Sequence, residues 1–119
     1  MDILHINTRS RIDMVDITTQ VQTLIANKGW SDGILTLYVP HTTAGLTINE
    51  NADPDVRRDM IMEMNKVIPL EDGYHHLEGN SAAHIKTSLF GSSETLIIED
   101  GEIQLGTWQG IYFADFDGP

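Results

Sequence analysis

At 119 residues, with 40% hydrophobic side chains and no cysteine, the chain suffices for one domain with its own core, and disulfides and thiolate metal sites are excluded. Seven Lys and Arg against eighteen Asp and Glu give a net charge of −11, which argues against a nucleic-acid partner because neutralising phosphates takes clustered cations. No apolar run is long enough for a membrane span or shaped like a signal peptide, so a cytoplasmic protein with no membrane partner is expected.

With no repeats or linkers, residues 1–119 read as a single domain. Ile3 to Arg9 reads as a strand, with Arg11 to Asp16 as its hairpin partner. Thr18 or Thr19 can cap a helix whose apolar positions Val21, Leu24 and Ile25 follow helical spacing, and Gly29 ends it. Gly33 to Val39 alternates and is closed as a strand by Pro40; Leu46 to Asn49 is a short strand beyond the His41 turn. Asp53-Pro54 signals a helix start: the carboxylate accepts a first-turn N–H, and proline has no N–H to leave unpaired. That helix runs to about Val67 with Val56, Met60, Met64 and Val67 on one face. Asn80 caps a third helix through Ile85 and Leu89, stopped by Gly91. Thr95–Ile98, the Asp100-Gly101 turn and Glu102–Leu105 form a hairpin, and Gly106–Phe116 supplies a last strand bent near Gly110. The order implies an α+β domain on a mixed β-sheet with two or three helices.

Histidine placement carries the functional signal. His41, His76 and His84 lie in short polar stretches that interrupt apolar runs, and imidazole both binds borderline divalent metals and carries protons near neutral pH. On one continuous helix His76 and His84 would stand about 12 Å apart along the axis, but Gly79 and Asn80 break it and let His76 fold back. His75 and His76 point apart on extended chain, so at most one of them lines a site. Three imidazoles with an open fourth position make a catalytic metal site, whereas dispersed histidines more commonly sit at surfaces and caps. Glu50, between a short strand and a helix, suits a general base or a solvated turn equally. Asp53 and Asn80 are fully explained as helix caps, although the N–H groups after Asn80 can also hold phosphate. Arg57 and Arg58 stand where the helix dipole disfavours cations, which suggests a partner carboxylate or a substrate anion, or more simply extension into solvent. Trp108 reads as core or interface packing.

Several segments together resemble the YjbQ-like family. They are the run His41-Thr42-Thr43-Ala44-Gly45-Leu46-Thr47-Ile48-Asn49-Glu50-Asn51-Ala52-Asp53-Pro54, then Tyr74, His76, Glu78-Gly79-Asn80-Ser81, Ala83-His84-Ile85-Lys86 and Gly91-Ser92. Gly106-Thr107-Trp108-Gln109-Gly110-Ile111 and Phe116-Asp117-Gly118-Pro119 complete the pattern. The resemblance implies an α+β subunit that trimerises around a threefold axis, with a polar pocket near the subunit boundaries. It implies His41, His76 and His84 as ligands of a divalent metal (zinc or magnesium), with His5 and His75 unmatched. Glu50 and Asp53 are then the catalytic candidates, and Asn49, Asn80, Lys86 and Gln109 the substrate-binding ones. Family members continue beyond the point matched by Pro119 into a basic segment and a final strand, so that strand is expected to be missing here.

The activity implied is a secondary thiamine-phosphate synthesis: a pyrimidine pyrophosphate and a thiazole phosphate join and pyrophosphate leaves. The substrate class is a small phosphorylated molecule. Three other readings stand beside it: a metal-assisted hydrolase, a trimeric metal- or ligand-binding protein without catalysis, and a structural oligomer whose polar residues only stabilise the subunit boundary.

Overall fold

The computed structural model describes all 119 residues, Met1–Pro119, as three helices and two small sheets. In chain order these are β1 (Asp13–Asp16), α1 (Thr18–Lys28), β2 (Gly33–Tyr38), β3 (Ala44–Glu50), α2 (Pro54–Val67), α3 (Ser81–Phe90), β4 (Ser93–Glu99), β5 (Glu102–Ile103) and β6 (Gln109–Asp115). The class is α+β as expected. The strands form two three-stranded sheets, β1-β6-β3 and β2-β4-β5, and every pairing is antiparallel, in place of one mixed sheet. No helix is long and apolar enough to cross a membrane.

β6 is central in the first sheet and is buried on both faces, so Ile111, Tyr112, Phe113 and Ala114 run on without polar alternation. Ile111 and Phe113 share one face with Leu46 and Ile48 of β3. That face meets Leu35 and Leu37 of β2, Leu96 and Ile98 of β4, and Val21 and Ile25 of α1 in the larger core. Tyr112 and Ala114 point the other way, packing with Met14, Ala83 and Phe116 under Met60 and Ile61 of α2 and Phe90 of α3. Each fully buried aliphatic side chain among them, such as Val21, Ile25 and Ile111, stabilises the fold by roughly 1.5–3 kcal/mol relative to exposure. Helices α2 and α3 therefore cover one face of the first sheet, and the second sheet covers the other.

Two close approaches depend on missing side chains. A Cβ on Gly45 would stand 2.6 Å from the Gly91 carbonyl oxygen at the end of α3. A Cβ on Gly110 would overlap the Asn51 side chain, which crosses β6 there and donates to Asp16 at 3.0 Å.

Residues 3–9 are not a strand, and β1 pairs with β6 instead. The alternation is real, since Leu4, Ile6 and Thr8 are half-buried while Ile3, His5 and Asn7 are exposed. Alternation fixes which side chains face the core, but a ladder also needs a neighbouring strand edge. The segment is fastened by side chains instead: Asp2 to Lys28 at 2.7 Å and the Thr8 hydroxyl to Asp115 at 2.8 Å. The start of α1 also differs from expectation. Asp16, before the helix, accepts the Thr18 N–H and hydroxyl at 3.0 and 2.6 Å, and the same hydroxyl accepts Ile111 N–H at 2.9 Å.

The signals for α2 hold: Asp53 accepts Asp55 N–H at 2.9 Å and Pro54 opens the helix. Its packed face is Val56, Met60, Ile61 and Met64, whereas Val67 is exposed. The hairpin turn has positive φ at both Asp100 and Gly101, which is the twist a two-residue connection needs.

Candidate functional site

Residues 69–80, between α2 and α3, form neither helix nor strand. The loop folds on itself because the Tyr74 hydroxyl donates to the Pro69 carbonyl at 2.8 Å and Asp72 accepts Gly73 N–H at 2.9 Å. At the far end Gly79 adopts φ 76°, a left-handed conformation that glycine takes without a Cβ penalty. Its N–H donates to the His76 carbonyl at 3.1 Å. The chain reverses there and brings His76 back against the early turns of α3.

The result is a pair. The His76 and His84 rings stand 5.6 Å apart between centroids with planes at 85°. Both line an open concavity of about 490 Å³, bordered also by Gly73, Tyr74, His75, Ser81 and Ile85. Because the loop is turned and not extended, both His75 and His76 reach the concavity, against the expectation that at most one would. Two imidazoles sharing a tetrahedral ion have centroids roughly 5 Å apart at the usual zinc–nitrogen length, close to the 5.6 Å between these rings.

The third imidazole is elsewhere. His41 is exposed on the loop between β2 and β3 and does not line the concavity. No three His, Asp or Glu side chains of the chain converge closely enough to hold an ion, so the expected triad of His41, His76 and His84 is not assembled.

The expected acid–base and amide residues cluster at the end of β3, and the strand register divides them. Glu50 lies opposite Gln109, on the sheet face shared by Leu46 and Ile48, while Asn49 lies opposite Gly110 on the other face. The fold already uses most of their polar groups. Asp53 caps α2, Asn49 accepts Glu50 N–H at 2.8 Å, and Gln109 accepts Gly106 N–H at 2.8 Å in a turn. None of Asn49, Glu50, Asp53 or Gln109 lines the histidine concavity. Beside them Arg57, singled out in the sequence, meets Tyr112, which was not. Arg57 donates to the Met14 carbonyl at 3.0 Å and stands 5.7 Å over the Tyr112 ring, whose hydroxyl donates to the Glu50 carbonyl at 3.0 Å. Burial raises the Tyr112 pKa, Asp16 and Glu50 add to the rise, and Arg57 opposes it. Burial also acts to raise the Asp16 pKa, but the bonds from Thr18 and Asn51 and the charge of Arg57 outweigh it and leave it lowered. Arg58 finds Asp55 at 2.9 Å, which accounts for a cation in the first turns of α2.

Asn80 and Lys86 differ from expectation. Asn80 holds the N-cap position of α3, yet its side chain makes no cap hydrogen bond. Its amide donates instead to Asp117 at 2.8 Å and, more weakly, to Glu78 at 3.4 Å, which forgoes a cap worth about 1 kcal/mol. Lys86 is buried, donates to Asn65 of α2, and does not line the concavity. Burial without a carboxylate partner lowers its pKa. Trp108, expected in core or interface packing, lies in the turn before β6 and is 63% exposed, so it is not part of the core.

A profile of the family described as UPF0047 protein YjbQ-like matches residues 2–119. The chain belongs to the YjbQ family. Among its relatives, a UPF0047 protein of Methanocaldococcus jannaschii is 56% identical over 115 residues, which are 97% of this chain and 83% of that protein. The YugU protein of Bacillus subtilis is 51% identical over 117 residues, covering 98% of this chain and 89% of its own length. A crystal structure of a YjbQ/UPF0047 protein from Clostridium acetobutylicum superimposes with a TM-score of 0.93 at 54% identity, covering 96% of this chain and 88% of that one. That protein is described as uncharacterised and the others only as UPF0047, so YjbQ kinship establishes the fold and leaves the chemistry to the site.

Within the YjbQ fold the motif residues therefore divide by task. Gly45, Asn51, Asp53 and Gly110 hold elements together, whereas Tyr74, His76, Ser81 and His84 shape a pocket.

Proposed function

We propose that this chain is the subunit of a homotrimeric, metal-binding enzyme acting on a small phosphorylated substrate, with His76 and His84 as the metal-holding pair. The observation that carries this reading is the paired imidazoles themselves, 5.6 Å apart on the wall of a concavity open to solvent. The pocket contains no Lys or Arg, and the chain carries a net charge of −11. A diphosphate would approach against that charge, and a bound divalent ion supplies the positive charge that a leaving diphosphate requires. Ser81, which lines the pocket at the start of α3, would help hold a phosphate there through its hydroxyl and the helix N-terminus, with His75 on the same lining. His41, exposed on its loop, is the imidazole left to complete the ligand set across a subunit boundary. The reaction most consistent with the family resemblance is thiamine-phosphate synthesis from a pyrimidine pyrophosphate and a thiazole phosphate.

Titration of the purified protein with zinc and cobalt tests the core of this reading. His84→Ala is expected to weaken binding by at least about 100-fold while the melting temperature stays within a few degrees. Equal affinity in wild type and His84→Ala would remove the imidazole pair from the proposal.

One observation favours a second reading, a metal- or ligand-binding protein without turnover: the pocket lining includes no carboxylate to act as a general base. Assays on the two thiamine precursors and on a panel of phosphoesters separate the cases. Turnover that falls in Glu50→Gln supports catalysis with a carboxylate from a neighbouring subunit. Tight binding with no turnover on any substrate supports the second reading, and faster turnover on the phosphoesters points to a hydrolase.

A further inference from the structure

The two imidazoles come from different elements, His76 from an irregular loop and His84 from a helix, so their spacing is set at the junction between them. That junction is Asn80. Its carbonyl accepts Ala83 N–H at 3.0 Å and His84 N–H at 3.4 Å, which starts the helix bearing His84. On its other side, the Gly79-to-His76 turn sets the loop. Helix capping does not explain the orientation of the Asn80 side chain, because no cap bond is made and its Oδ1, fully buried, has no partner. The carboxamide is turned toward Asp117, which lies just beyond β6, far from residue 80 in sequence. Asp117 is held in turn. Arg11 reaches it at 3.3 Å, its N–H donates to Asp115 at 3.2 Å, and Gly118 N–H donates to the Arg11 carbonyl at 2.9 Å.

We infer that Asp117 is a positioning residue for the His76–His84 pocket, acting through Asn80 and anchored by Arg11. The inference deepens the metal-site reading and rests on it for its consequence, since the pocket's ability to bind an ion then depends on a carboxylate that never touches the ion. A rigid sheet end, and not the loop, sets the ring spacing. Outer-shell groups hydrogen-bonded directly to a metal ligand account for about 10- to 100-fold in metal affinity, and Asp117, one residue further out, is assigned the lower end of that range.

The test uses the full chain in wild-type, Asp117→Ala and Asp117→Asn forms. Two quantities are read: ring-to-ring nuclear Overhauser effects between His76 and His84 without metal, and zinc affinity by titration. Asp117→Ala is expected to lose the ring-to-ring signal and about tenfold in zinc affinity. Asp117→Asn keeps an oxygen that accepts from Asn80 and is expected to restore both to within about threefold of wild type. If Asp117→Ala does not fold, Arg11→Met loosens the anchor from outside and should shift both readouts in the same direction by a smaller factor. Native ring contacts in whichever of these two variants folds would overturn the inference, as would an Asp117→Asn protein as impaired as Asp117→Ala. The metal-free ring signal keeps the two ideas separable. A wild type that shows the contact but binds no zinc sinks the metal reading and leaves the positioning role tested on its own.

Discussion

The end of β3 and the start of α3 are both rich in polar motif residues, but they treat them in opposite ways. Around β3 the side chains are committed: Asp53 to α2, Asn51 to Asp16, Asn49 to its neighbour's N–H and Gln109 to its own turn. Around α3 the imidazoles of His76 and His84 contact each other over an open concavity. A polar group already satisfied by the fold contributes to stability, whereas one facing free space is available to a ligand. Motif membership alone does not separate the two.

That contrast can be broken from either side. The largest effect is expected at Gly110, where alanine would collide with Asn51 and dislodge it from Asp16. Overpacking of this kind costs about 1–3 kcal/mol, so chemical denaturation should show an unfolding free energy lower by that amount. A Gly110→Ala protein of native stability would show that Asn51 is not held in place by the close approach. A smaller loss, about 1 kcal/mol, is expected for Asp53→Ala, with zinc affinity unchanged. A large drop in zinc affinity there would erase the distinction between committed and available residues.

The smallest effect concerns Lys86. Its folded pKa lies below the usual lysine value because of burial, so the unfolded chain binds more protons between the two values. The Lys86 contribution to stability therefore rises with pH through that alkaline window, against an opposite contribution from Tyr112, whose raised pKa makes the folded chain hold its proton longer. Lys86→Met should lower the slope, measured by thermal melts at stepped pH. An unchanged slope in Lys86→Met would assign it to another group.

Local chemistry was legible in the sequence. Asp53-Pro54, Gly29 and Asp100-Gly101 act within a few residues of themselves, and each does in the structure what its residue type implies. Pairing across the chain was not. Leu4 and Ile6 alternate like a strand, but nothing in their own segment reports whether an open edge awaits them. Asn80 carries every sign of a helix cap, and only Asp117, brought up by the end of β6, redirects it. The histidines were visible as residues, yet the loop turn that pairs His76 with His84 and leaves His41 apart depends on backbone geometry beyond their spacing.

β6 shows how this fold keeps its strands in frame. In a strand with one wet face, a slip of one residue exposes apolar side chains and is rejected at once. β6 has no wet face, and slipping it would exchange Ile111 and Phe113 for Tyr112 and Ala114, apolar for apolar. Discrimination falls to bulk. The side toward the helices admits glycine where Asn51 crosses and alanine beneath α3, so a misaligned β6 is turned away by crowding where water would offer no objection.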